Sequence, residues 1–427
     1  MKNSINKKNL FIVTFNSIIF MIMLGIWVNY GVEKVKYIYI YILILQIFQI
    51  IRFRKSKIKF IFLIYMISYY TPMFQYYFKN INLTNHHNNY LGFSDEKTLF
   101  IYCLFYMSIF IASYFLWDPL KVEILDLKVS NLKSNNVILF YLSILFIIIC
   151  ILFGHKGQLE IGAYGDGNFT STILNEYIII FFLIAYIYSS NVKFRKYLIF
   201  ISFFIYIIIN FIYGDRIGVL QTSILIFILY FNNKFNYKKI VLLAIFTIMI
   251  FNAVSVFRST GKIILKNKNE EKQVTVIDTN QSQVFNSSVS IVRLLDDNVI
   301  SSYDRIESLG KYALRIVIPS ENMLLSNLSK YSTIIYASQG GGFIASYFYI
   351  WFGYLGVILV GIIVCKLFSL ISKDIKNNSI VALIIFISIF PRWLVYDPLI
   401  GLKMPIYTII IYNCFIFLNY FIKKFSI

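Results

Sequence analysis

The chain has 427 residues, 59% of them hydrophobic and 14% charged. Soluble domains carry roughly 45–50% apolar and about 25% charged residues, so a water-soluble globular fold is excluded. The net charge of +20, from 40 Lys and Arg against 20 Asp and Glu, would suit nucleic acid in a soluble protein. Here it reads as basic residues that fix membrane topology, meet anionic headgroups and serve an anionic substrate.

Apolar runs of bilayer-crossing length recur along the chain. They are continuous in Ile, Phe, Leu and Tyr and do not alternate, which predicts helices and not a barrel. In chain order the spans are expected at 9–29, 37–51, 60–78, 98–117, 136–154, 173–189, 197–213, 217–231, 240–257, 342–370, 379–396 and 404–422. The first follows Lys2, Lys7 and Lys8, but it is too long for a cleaved leader and no small-residue cleavage site follows, so it reads as a retained helix. The 342–370 run opens on glycines and contains Gly353, which predicts a short broken segment at its start.

The expected fold is an all-α polytopic membrane protein of about twelve transmembrane helices. Residues 1–257 hold spans one to nine, 258–341 form one large extracytoplasmic loop, and 342–427 hold the last three spans. One set of alternate loops and ends carries 22 of the 40 basic residues and the short loops of the other set carry 8. The positive-inside rule then places both termini in the cytoplasm and the long loop outside. In that loop Val299, Tyr303, Ile306, Leu309, Ala313 and Ile316 recur at helical spacing before Pro319. This predicts amphipathic helices lying on the membrane face. Neither an internal repeat nor a low-complexity tract is present.

Cationic side chains at the edge of hydrocarbon are the candidates for chemistry, because such residues face a cavity or a partner. Arg216, in Gly214-Asp215-Arg216-Ile217-Gly218, sits between two spans on the outer side. It reads as a phosphate-binding cation, or as half of a tight hairpin paired with Asp215. Arg258 follows the ninth span directly and reads as a second cation or a snorkelling anchor. Arg293, Arg305 and Arg315 lie among apolar loop residues; an Arg fork suits diphosphate, and a solvated helix face is the alternative. Glu307 and Lys311 have the spacing of such a surface pair. Gly340, Gly341 and Gly342 open the tenth span, where free amides attract anions; a flexible joint is the other reading. Arg392, in Pro391-Arg392-Trp393, is a binding residue or an interfacial anchor.

The three histidines, His86, His87 and His155, all fall in outer loops and read as solvated side chains or as a base near neutral pH. Cys103, Cys150, Cys365 and Cys414 are scattered through apolar runs and form neither a metal set nor a disulfide framework. There is no Walker loop, no GxSxG elbow, no Asp-x-Asp pair and no metal constellation. No cofactor is expected.

Together these features resemble the Wzy-type O-antigen or oligosaccharide repeat-unit polymerases of bacteria. The layout is similar along the whole chain: about twelve spans, cytoplasmic termini and a large outer loop before the last three spans. Two segments carry local similarity. Tyr213-Gly214-Asp215-Arg216-Ile217-Gly218-Val219-Leu220 is similar to the family's stretch of small residues, Arg, Gly and Leu opening a span. Gly340-Gly341-Gly342 with Trp351-Phe352-Gly353-Tyr354-Leu355-Gly356 is similar to its glycine-rich start and aromatic-Gly-x-x-Gly continuation. Arg392 matches an arginine placed late in such chains. The acidic residue many members carry after the glycine run has no counterpart in Phe343-Ile344-Ala345-Ser346-Tyr347.

The resemblance implies a metal-independent glycosyltransferase of the bacterial cytoplasmic (inner) membrane. It would move a glycan chain from undecaprenyl diphosphate onto a single carrier-linked repeat unit, building O-antigen or capsule-type polysaccharide. Arg216, Arg258, Arg305 and Arg315 would be catalytic; Arg293, Gly340, Gly341, Gly342 and Arg392 would bind substrate. The implied partners are the undecaprenyl-diphosphate-linked oligosaccharide, membrane lipid, a chain-length regulator and a flippase, with no nucleic acid. An O-antigen ligase-like glycosyltransferase and a transporter or flippase of lipid-linked sugars are the alternatives; the long outer loop and the absence of a repeat weigh against the transporter.

Overall fold

A computed structural model describes residues 7–30, 35–70, 94–118, 132–156, 170–213, 215–232, 234–260, 280–317, 324–336, 341–373 and 376–425. The helices are α1 (Lys7–Tyr30), α2 (Val35–Phe53), α3 (Lys57–Ser68), α4 (Ser94–Leu116), α5 (Val137–Phe153), α6 (Ile173–Tyr188), α7 (Lys193–Tyr213), α8 (Arg216–Ile226), α9 (Tyr237–Thr260), α10 (Asn280–Asp296), α11 (Ser302–Leu314), α12 (Leu328–Tyr336), α13 (Ile344–Ser369), α14 (Asn377–Ser388), α15 (Phe390–Trp393) and α16 (Ile400–Phe425). A π-helical turn, Phe227–Phe231, extends α8. The one ladder among the described residues pairs β1 (His155–Lys156) with β2 (Thr170–Ser171), antiparallel.

Among the described residues, four helices are long and apolar enough to cross a membrane: Glu96–Leu116, Lys193–Phe211, Ile344–Ser372 and Ile400–Lys424. Shorter apolar helices accompany them, including Val137–Phe153 and Leu174–Tyr188. The protein is therefore helical with membrane-associated character, as its composition requires.

The chain forms two compact units. The first comprises Met1–Val122, Gln273–Leu370 and Trp393–Ile400. Its centre is α13 against α4. Gly361 leaves room for the Ser108 hydroxyl, where any Cβ would collide, and Trp117 Nε1 donates to the Cys365 carbonyl at 2.8 Å. Close helix approach through small residues is the usual way to pack without a hydrophobic drive. The helices of the 258–341 region belong to this unit. Ile291, Leu294 and Ile300 share a core with Tyr312, Leu328, Tyr347, Ile350, Trp351 and Leu399. The face of α10 that enters the unit is rich in small polar residues: Ser287, Ser288 and Ser290 are all buried.

The second unit comprises Glu123–Lys272, Ile371–Arg392 and Gly401–Ile427. In it α5 packs on α6 and α7, while α8 packs on α6, α7 and α14. Asn136 caps α5 by accepting from Leu139 N at 3.1 Å and also donates to Asn419 at 2.8 Å.

Several expected spans are interrupted. Residues 60–78 are not one described helix: α3 ends at Ser68, with Tyr69 and Tyr70 closing a turn on Met66 and Ile67. Pro72 lies shortly beyond, and the region before a proline disfavours helix; residues 71–78 lie outside those described. Residues 379–396 are likewise broken, because α14 stops at Ser388 and only the short α15 follows. Pro391 has no N–H to donate back to Ile387, which removes the bond that would carry the helix on. At 1.5 Å per residue α14 is about 18 Å long, well short of the bilayer core.

The break expected at the start of 342–370 falls at Gly353, whose φ 64°, ψ −153° is open only to glycine. The helix beginning expected at Val299 is instead at Ser302. Asn298 turns the chain with φ 55°, and Ser301 and Asp304 form a reciprocal capping box at 3.2 and 2.9 Å.

Candidate functional site

In the second unit a polar cluster forms where α5 and α7 end and α6 and α8 begin. Asp215 caps α8, accepting from Gly218 N at 3.0 Å. Its second oxygen accepts from Asn175 Nδ2 at 2.7 Å. Asn175 also donates to Asn210 at 3.2 Å, and Asn210 donates to the Tyr206 carbonyl at 2.8 Å. Asn175, Asn210 and Tyr206 are fully buried. The Tyr206 hydroxyl lies within electrostatic reach of both Asp215 and Arg392. Asp215 is thus the hub of a network and not merely the neighbour of Arg216.

The Gly-Asp-Arg-Ile-Gly segment now has a packing reason. A Cβ on Gly218 would stand 2.6 Å from the Tyr206 hydroxyl and 3.1 Å from the Asp215 carboxylate. Only glycine lets the capped end of α8 seat against α7. Arg216 is the first residue of α8 and is half-buried.

His155, just past α5, joins the same end of the unit. Burial pushes its imidazole pKa below the usual value, against the opposing pull of the Asp215 carboxylate and of Asn210. Glu176, in the first turn of α6, forms an ion pair with Arg392. An acidic group there also complements the helix dipole. Both partners keep about a quarter of their side chains exposed (26% and 22%). Arg392, expected as a binding residue or an interfacial anchor, is thus paired with a specific carboxylate. The Oδ1 of Asn175 is buried and has no hydrogen-bond partner among the described residues.

In the first unit the three loop arginines have distinct jobs. Arg305 Nε donates to the Ile350 carbonyl at 2.5 Å and its Nη2 to the Trp351 carbonyl at 3.4 Å. Those carbonyls lie three and two residues before the Gly353 break, so Arg305 binds the chain at the broken end of the first half of α13. Arg315 donates to the Ser326 carbonyl at 2.8 Å and lies 3.6 Å from Asp397. Asp397 also accepts from Leu399 N at 3.0 Å and lies 3.4 Å from the Tyr312 hydroxyl. Arg293 pairs with Asp297 at 2.8 Å and sits 4.9 Å from the Tyr336 ring centroid. The Lys311–Glu307 pair expected on the surface of α11 is present.

From Gly341 onward the glycine run is bonded into the unit. Gly341 N donates to Ser329, Gly342 N to the Val395 carbonyl at 3.0 Å, Phe343 N to Ser288 at 2.8 Å and Ile344 N to the Leu394 carbonyl at 2.7 Å. The amides of residues 341–344 are thus already used inside the unit, as a loop-to-helix joint would have them. Gly341 has φ 82°, and a Cβ there would press on Tyr396 at 2.9 Å. Gly340, His86 and His87 lie outside the described residues. Arg258 lies on α9, whose end is described only as backbone.

The sequence reading passed over Asn175, Glu176 and Asn210. Each is polar in an otherwise apolar run, which is itself the signal that could have found them. No family model, no curated protein and no solved structure matches this chain.

Proposed function

We propose that the protein is a glycosyltransferase that joins polyprenyl-diphosphate-linked oligosaccharide units into a polysaccharide on the outer face of the bacterial cytoplasmic membrane. In this reading the chain has about twelve spans, with both termini cytoplasmic and 258–341 outside. The observation that supports it is the polar end of the second unit. Arg216 opens α8 there, beside the Asp215 network, and Arg392 is held within reach of Tyr206. Guanidinium groups in a largely apolar bundle suit a diphosphate at the membrane surface.

The acceptor hydroxyl of the incoming unit attacks the anomeric carbon of the growing chain. The bond from that carbon to the diphosphate oxygen breaks, and the hydroxyl proton passes to water. Negative charge grows on the departing diphosphate, and preorganised cations stabilise it. Arg216 and Arg392 are the residues assigned to that role. Arg392 meets the diphosphate by exchanging its Glu176 partner for a phosphate oxygen. Arg305 and Arg315, bonded to main-chain carbonyls, act by shaping the first unit.

The test is polymer formation by the purified protein in liposomes, supplied with lipid-linked repeat units. The wild type should give a ladder of chain lengths. Arg216→Ala should lower the rate by about 10²–10³, the usual loss for one preorganised donor, at unchanged abundance. Normal ladders from Arg216→Ala would remove Arg216 from the site, and no ladder from the wild type would overturn the activity. A transporter of lipid-linked sugars is the second reading. The interrupted helices at Gly353 and Ile389 favour it, since broken helices line many transport sites. Movement of lipid-linked units across the liposome membrane without joining them would decide for that reading.

A further inference from the structure

Two features lie beyond the proposed site: the helix break bound by Arg305 and the outer face of α11. The second carries an inference further, independently of the proposed activity. We propose that α11 docks on the lipid bilayer at headgroup level through an apolar face that the first unit leaves uncovered.

The helix has two apolar faces. Leu309 and Tyr312 pack into the core, along with the flanking Val299 and Ile316. Tyr303, Ile306, Leu314 and Val317 point away from it and are 74%, 74%, 51% and 76% exposed. On the helix, Tyr303, Ile306 and Leu314 are spaced by three and eight residues and make one stripe with exposed Gly310 and Ala313, and Val317 follows in the turn just past the helix end. The charged residues do the reverse: Asp304, Arg305, Glu307, Lys311 and Arg315 are all half-buried and paired inward or along the helix. Water alone would favour the opposite arrangement.

The depth follows from α13. Its second half, 354–369, is about 24 Å long at 1.5 Å per residue. The following turn, Leu370–Ser372, adds about 6 Å. Together they match the roughly 30 Å hydrocarbon core, so Gly353 lies at its edge. Arg305 bonds the carbonyls of Ile350 and Trp351 directly beside that edge. Phe352, Tyr354 and Leu355, next along α13, are themselves exposed at 47%, 40% and 71%. The uncovered stripe of α11 thus continues a lipid-facing surface, and Tyr303 supplies the aromatic usual at that level.

The test places one environment-sensitive fluorophore on the full chain in lipid nanodiscs. The background is Cys414→Ser, which removes the exposed native thiol. Ile306→Cys carries the label, Val317→Cys repeats the measurement should the first variant fold poorly, and Lys330→Cys on the exposed side of α12 serves as the aqueous control. Labels at 306 and 317 should be quenched by lipids brominated near the glycerol end of the acyl chain and protected from iodide several-fold relative to 330. Iodide quenching equal to that at 330, with no bromolipid effect, would overturn the proposal. So would protection from both quenchers together with disulfide crosslinking between two copies of the unlabelled Ile306→Cys protein, which would assign the face to a second copy of the chain.

Discussion

Arg305 of the first unit and Arg392 of the second are held in different ways. In the first, Arg305 donates to the main-chain carbonyls of Ile350 and Trp351, while Arg315 joins the Ser326 carbonyl to the Asp397 carboxylate and Arg293 pairs with Asp297. In the second, Arg392 faces a side-chain carboxylate, Glu176, and Arg216 opens a helix whose cap is Asp215. A carbonyl at a broken helix end has no other donor, so an arginine that satisfies it is part of the fold. A carboxylate can be exchanged for a phosphate oxygen with little rearrangement, so an arginine that faces one remains available to an anion. The contrast separates positions that build the protein from positions that can act in it.

The largest effect should come from Arg305→Ala, which leaves the Ile350 and Trp351 carbonyls without their donor. A lost charged hydrogen bond to a buried group costs about 2–3 kcal/mol, read as lower membrane abundance and a lower melting temperature in detergent. Arg305→Lys should recover part of it. A stable, abundant Arg305→Ala protein lacking activity would break the contrast and move Arg305 into the site.

Gly341→Ala comes next. Positive φ and the approach to Tyr396 together predict about 1–3 kcal/mol of destabilisation, checked by the same melt. An unchanged melt with lost activity would return the glycine run to substrate binding.

The Glu176–Arg392 pair should contribute less to stability. With about a quarter of each side chain exposed, a double-mutant cycle of Glu176→Gln and Arg392→Gln should give a coupling on the order of 1 kcal/mol or less. Activity should discriminate sharply: Arg392→Gln should be impaired more than Glu176→Gln. Equal loss of activity with equal loss of abundance would make the pair structural, like those of the first unit.

The smallest effect is the pH dependence from His155. Its folded pKa is lowered by burial, so the unfolded chain takes up a proton first as pH falls. The stability contribution is fully present above the unfolded pKa of about 6.5 and declines as pH drops below it. The melting temperature of wild type should fall from pH 7.5 to 5.5 more steeply than that of His155→Asn. Parallel curves would exclude His155 from the buried network.

Composition and apolar run length alone determined that the chain is helical and made for a membrane, because a backbone without water must satisfy itself within each segment. They also marked Arg216, Arg392 and the two glycine-bearing segments, since charge and glycine stand out against hydrocarbon. Tertiary structure decided what those residues do. Gly218 is required by Tyr206 of another helix, and Gly353 makes a break beside Ile350, whose carbonyl Arg305 binds from 45 residues away in sequence. The amides of 341–344 are taken up by Ser288, Ser329, Leu394 and Val395. The same applies to α11. Its periodicity announced a helix, but a stripe of apolar residues has no label saying which side the core will cover. Only the packing of Tyr312 against Trp351 turned Leu309 inward and left Ile306 outside. Periodicity is a property of one segment, whereas burial and pairing depend on which distant segments come to lie beside it.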